Sequence, residues 1–139
     1  MNPPFVLLDH SFLAAVADID DADHDEAVAI YRALLDDFVE QRCLLVARTD
    51  HLAAVANDEL YASIDKLHVA RQHRNAAKEL VRGTGIGIDE AITLVLIHRS
   101  KIRKIATFDE RLTHYDLDII TSVLSKGAEP ASPETRPNA

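Results

Sequence analysis

The sequence has no tryptophan, few aromatic residues of any kind and a single cysteine. With so little aromatic bulk in a chain that is nearly half apolar, the core has to be assembled from Leu, Ile, Val and Ala. One cysteine excludes an internal disulfide framework and any zinc site built on Cys pairs. Cys43, embedded in CLLVA, reads as a small buried hydrophobe. No apolar run approaches the roughly 20 residues needed to span a bilayer. The start MNPPFVLLDH lacks a basic region followed by a long apolar run and a small-residue cleavage site, so a cytoplasmic protein is expected, with no membrane partner. A length of 139 residues supports one core and not two. The domain is expected over residues 1–122, and 123–139, ending SKGAEPASPETRPNA, as a disordered tail.

A net charge of −8 argues, taken alone, against nucleic acid as a partner. The distribution points the other way. Asp18, Asp20, Asp21, Asp23, Asp25 and Glu26 crowd the early chain, whereas residues 66–104 carry nine Lys or Arg against three acids. Segments of opposite sign steer a polyanion to one face even of an acidic molecule. Arg71, Arg74, Lys78 and Arg82 follow one another at steps of three and four, which lines them up as a basic stripe on one helix. Without the asymmetry of sign, such a stripe would read as an ordinary solvated face.

Short apolar runs at Phe5–Leu8, Cys43–Ala47, Ile105–Thr107 and Leu117–Ile120 have the length and continuity of strands buried on both faces of a parallel sheet. Between them, Ser11–Ala17 and His24–Arg42 read as helices, the second with Ala27, Val28, Tyr31, Leu34, Leu35 and Phe38 at helical spacing. Thr49 or Asp50 can cap a further helix carrying Leu52, Val55, Ala56 and Leu60. The pattern from Ala62 to Arg82 stays helical but grows polar, GTGIGI breaks it, and Asp89–Ser100 forms a strongly apolar helix. Alternation of this kind predicts an α/β fold, a three-layer sandwich on a central parallel sheet of four to five strands. Ligands of such sheets sit outside the carboxyl ends of the strands.

Asp9 and Asp109 follow the first and last long apolar strands, and Asp89 opens the apolar helix. Singly, they read as a helix cap, a turn residue and a partner of a helix dipole. Together they are candidates for holding Mg²⁺ or Mn²⁺, hard cations that take oxygen ligands and keep several waters. Ser11 and Thr107, each two residues from one of these acids, offer hydroxyls to position a carboxylate or a metal-bound water. Other patterns fail. DIDDADHDE has Asp23 where a calcium loop requires Gly and Ala29 where it requires the bidentate Glu. GTGIGI follows a helix and lacks phosphate-loop spacing. Ser11 stands where an Asp-x-Asp phosphatase needs its second acid. His68 and His73 do not face one another on a helix, and His10 reads as a surface imidazole.

LLDHSFL, GIGIDEAITLVLIH and IATFDERL, in this order, resemble the signature segments of the PIN domain family, and the length resembles its VapC-type ribonuclease toxins. The resemblance implies a PIN-like sandwich and RNA cleavage dependent on Mg²⁺ or Mn²⁺, with tRNA or other structured RNA as substrate. It also implies a small cognate antitoxin and a homodimer. Asp9, Asp89 and Asp109 take the places of the family's acids. One place departs: the second acid, Glu, falls at about Val55, with Asp58 and Glu59 one turn further and Asp50 on a different face. Glu59 is the favoured replacement. The expected protein is a metal-dependent endoribonuclease toxin that binds RNA through Arg71, Arg74, Lys78 and Arg82. The alternative is a catalytically silent module of the same fold that binds a protein or RNA without cutting it.

Overall fold

A five-stranded, wholly parallel sheet runs through the centre of the molecule in the order β3-β2-β1-β4-β5. The structure, a computed structural model, describes residues 3–55 and 63–120, with side chains for 3–52 and 63–120. The elements are β1 (Phe5–Leu8), α1 (His10–Ala17), α2 (His24–Val39), β2 (Leu44–Arg48), a 3-10 helix (Thr49–Val55), β3 (Ile64–Leu67), α3 (Arg71–Thr84), α4 (Ile88–Ser100), β4 (Lys104–Ala106), a second 3-10 helix (Glu110–His114) and β5 (Asp118–Ile120). The α/β sandwich expected from the alternation is the observed architecture. Glu59 and the tail 123–139 lie outside the described residues.

Each strand alternates between two cores because successive side chains of a strand point to opposite faces. Val6, Leu8, Leu45, Ala47, Ile64 and Ala106 pack with α1 and α2 through Phe12, Leu13, Ile30, Tyr31 and Leu34. Leu7, Val46 and Ile105 turn to the other face, against Ile97 of α4 and Leu112. A third cluster joins α3 to α4 through Ala77, Ala91, Ile92 and Leu96. Cys43 is buried and its thiol donates to the Leu34 carbonyl, so the small-hydrophobe reading holds.

One stretch differs from expectation. Residues 62–82 read as helical throughout, but Ile64–Leu67 pairs with β2 as an edge strand. Its Asp65 and Lys66 are exposed and only Ile64 is buried, which suits an edge whose charged side chains discourage pairing with other chains. Helix α3 then begins at Arg71, where the Ala70 N–H donates to the ring Nδ1 of His73. It ends at Gly85, whose φ of 77° is the left-handed value that favours glycine.

Phe12 is fully buried, edge-on to Tyr31 and stacked on Phe108. It therefore joins α1 to α2 and to the loop after β4. Phe12→Ala should cost about 3–5 kcal/mol of stability in urea denaturation. A loss within the roughly 0.5 kcal/mol typical of surface changes would contradict this packing.

Candidate active site

The carboxyl ends of β1, β2 and β4 meet the start of α4. Asp9 leaves β1 in extended conformation, and its N–H donates to the Ala106 carbonyl of β4 at 3.0 Å. It occupies the N-cap of α1, yet its side chain makes no capping bond. Instead Oδ2 accepts from Ser11 Oγ at 3.0 Å and from Thr107 Oγ1 at 2.8 Å. These hydroxyls are themselves oriented. Ser11 Oγ accepts the Phe108 N–H at 2.9 Å, and Thr107 Oγ1 accepts the Asp109 N–H at 3.0 Å. Asp9 is only 6% exposed, and among the described residues its Oδ1 takes no hydrogen bond. A buried carboxylate held by two neutral hydroxyls, with one oxygen free, calls for a cation.

Asp109 opens the second 3-10 helix by accepting the Arg111 N–H at 3.0 Å, so it serves as a turn residue as well. The Arg111 side chain grips the same carboxylate at 3.0 and 2.7 Å. These Arg111 bonds hold the Asp109 carboxyl below its ordinary range, against a smaller opposing effect of burial. Arg111 also reaches Glu90 at 3.9 Å. Glu90 is buried and accepts the Tyr115 hydroxyl at 2.5 Å, a bond that raises the Tyr115 pKa.

Asp89 lies in the first turn of α4, next to Glu90, where the helix dipole favours negative charge. Its side chain is 64% exposed and meets Arg48, which is 2% exposed, at 2.8 Å. Arg48 closes β2, and all three of its guanidinium nitrogens are engaged. Nε and Nη2 fork onto Asp50 at 3.0 and 2.5 Å, while Nη1 also donates to the Asp89 carbonyl at 3.2 Å and to Thr93 Oγ1 at 3.0 Å. Arg48 thereby ties the end of β2 to the first turn of α4. Burial would push the Asp50 carboxyl up, but Arg48 overrides it and holds Asp50 below its ordinary value.

Asp50, His51 and Asp89 place potential ligand atoms all within 4.8 Å of one another. Asp9, Asp89 and Asp109 form no such tight group. They are linked through shared neighbours: Asp9 and Asp89 both act on His51, and Asp89 and Asp109 both act on Arg111. Asp50, expected on another face of its helix, faces Asp89 because the 3-10 helix starts at Thr49, immediately after β2. His51 is buried, its Nε2 lies 3.6 Å from Asp89, and its ring centroid lies 5.2 Å from that of the exposed His10. Arg71, Arg74, Lys78 and Arg82 are all exposed on α3, with Arg82 paired to Glu79.

Arg48, His51 and Glu90 did not emerge from the sequence. His51 carried a usable signal, since it stands three residues beyond the end of a buried strand. Glu90 carried another: it lies three and seven positions before Thr93 and Ile97 on the buried side of α4. Arg48 carried none, because its meaning depends on Asp89, 41 residues away.

No family model matches the chain, nor does any curated protein. Among solved structures it is similar to VapC20 of Mycobacterium tuberculosis, a Sarcin-Ricin loop cleaving toxin. The TM-score is 0.59, with 14% identity over 81% of this chain and 98% of that one. The likeness establishes the fold, the PIN-like sandwich to which the three segments pointed.

Burial, and then the nearby Arg48 charge, lower the His51 pKa below 6.5. The unfolded chain therefore takes this proton first, and the contribution of His51 to stability is lost as pH falls from 6.5 through the folded value. Between about pH 7.5 and about pH 5.5 in metal-free buffer, His51→Gln should lose less stability than wild type. Equal losses in urea denaturation would remove His51 from the acid response.

Proposed function

We propose that this chain is a metal-dependent endoribonuclease of the cytoplasm, the toxin of a toxin–antitoxin pair. Asp9 carries the reading. A carboxylate buried at the carboxyl end of the central strand, anchored through one oxygen and free at the other, is suited to hold a hard divalent cation. Asp109 and Asp89 stand beside it as the further ligands. Glu59 is retained as a candidate fourth acid. A Mg²⁺ or Mn²⁺ ion held there would activate water and stabilise charge on the scissile phosphodiester. Ser11 and Thr107 hold Asp9 through Oδ2, which would leave Oδ1 for the ion. The fold supports the same reading, since VapC20, which shares it, is a toxin that cleaves the sarcin-ricin loop. Structured RNA is thus the substrate class to test, with tRNA among the candidates. Arg71, Arg74, Lys78 and Arg82 would bind its phosphates from α3. A small cognate antitoxin and a homodimer complete the proposal.

One observation favours the second reading, a silent module of the same fold: Asp89 and Asp109 are each engaged by an arginine of the chain itself. Cleavage separates the two. Asp9→Asn should abolish divalent-dependent cleavage of structured RNA while leaving the circular dichroism and the urea midpoint near wild type. Undiminished cleavage by that pure variant would sink the assignment, and a wild type that binds RNA without cutting it would favour the silent module. Thr107→Val, which loosens Asp9 without removing it, should cost about 10–100-fold in activity.

RNA affinity should fall with salt, because phosphate contacts release counterions. Neutralising Arg71 and Arg74 should reduce the slope of log affinity against log salt by about 0.7 for each phosphate contact removed. An unchanged slope would exclude this end of α3 from the interface.

A further inference from the structure

The two arginines that engage the site's acids are not equivalent. Arg111 is 63% exposed and approaches Asp109 from the solvent side, so its side chain can swing into water at little cost and release the carboxylate. Arg48 is 2% exposed and has nowhere to go. It sits on the last residue of β2, whose preceding residues Leu45, Val46 and Ala47 are buried. Its guanidinium contacts both oxygens of Asp50, one oxygen of Asp89, the Asp89 carbonyl and the Thr93 hydroxyl. Five oxygens thus surround a fixed positive charge.

We propose that Arg48 is the resident cation of the Asp50–Asp89 half of the site, holding the position a second divalent ion would need, so that the chain loads one metal, at Asp9, and not two. The inference rests on the metal-dependent reading of Asp9. Two-metal sites hold their ions about 3.5–4 Å apart, and a guanidinium fixed on the shared carboxylates excludes one of the two positions by occupancy and by repulsion. Three of the four carboxylate oxygens of Asp50 and Asp89 are taken by Arg48. Among the described residues, this leaves a single ion to be seated on the Asp9 oxygen that takes no hydrogen bond, with water and with the other Asp89 oxygen or the released Asp109 carboxylate brought in by side-chain movement. Arg48 is thereby a positioning residue: it sets how many metals the site takes and from which side they enter.

The test is Mn²⁺ stoichiometry on the full chain, read by calorimetry and by counting free Mn²⁺ with electron paramagnetic resonance. Wild type should bind one ion per chain, lost in Asp9→Asn. Arg111→Ala should bind one ion more tightly, and Arg48→Gln should bind two. Because removal of a buried cation can unfold the chain, a measurement on wild type runs alongside: the Arg48 Nε–H resonance followed by ¹⁵N NMR during Mg²⁺ titration. It should stay in place at saturation. Two ions in wild type, or displacement of that resonance by Mg²⁺, would overturn the proposal. A single ion in wild type that depends on Asp9, with the same stoichiometry in folded Arg48→Gln, would overturn it while leaving the Asp9 site standing. No binding by either protein would overturn both.

Discussion

The carboxylate of Asp9 is where chain connectivity and chemistry meet. Its backbone N–H continues the β1–β4 pairing, and its side chain receives hydroxyls from the first turn of α1 and from the residue after β4. Those hydroxyls in turn receive the N–H groups of Phe108 and Asp109. One side chain thus sets the conformation of the loop that delivers Asp109. The rigidity behind it comes from the central place of β1 in a parallel sheet buried on both faces, where a shift of register would turn apolar side chains to the wrong layer.

Arg48 does for Asp50 and Asp89 what Thr107 does for Asp9, by charge instead of neutral hydrogen bonds. It joins the end of β2 to the first turn of α4 through Asp50, Asp89 and Thr93. The site is therefore bounded by two networks of different character. Around Asp9 the hydrogen-bond donors among the described residues are neutral. Around Asp89 a buried cation already compensates the negative charge. The proposed seat of an added ion at Asp9 rests on this asymmetry, which follows from two residues at the ends of adjacent strands.

Much of this was legible in the sequence, for identifiable reasons. Short continuous apolar runs gave away β1, β2 and β4, and an acid directly after such a run is conspicuous, as at Asp9. The two hydroxyl residues were legible by their spacing from these acids. Strand β3 was not, because four residues with two charges in the middle have no apolar signature, and an edge strand buries only one of them. The partners of Asp89 were hidden for a different reason. A buried arginine declares itself only through long-range contacts, and His51 is marked only by its place three residues beyond a buried strand. The basic residues of α3 were placed on a helix by spacing alone, and the structure exposes them along Arg71–Thr84.

The ion pairing of Asp89 has a consequence for how defects in this protein are interpreted. A neutral residue at that position removes a candidate ligand and also leaves the Arg48 guanidinium, 2% exposed, with one carboxylate partner fewer. Lost activity and lost stability then arrive together, and an inactive chain altered at Asp89 says little about chemistry. Asparagine at Asp9 keeps an acceptor for the Ser11 and Thr107 hydroxyls and strands no cation. On the proposed reading, substitution at Asp9 rather than at Asp89 is the one that separates chemistry from scaffold.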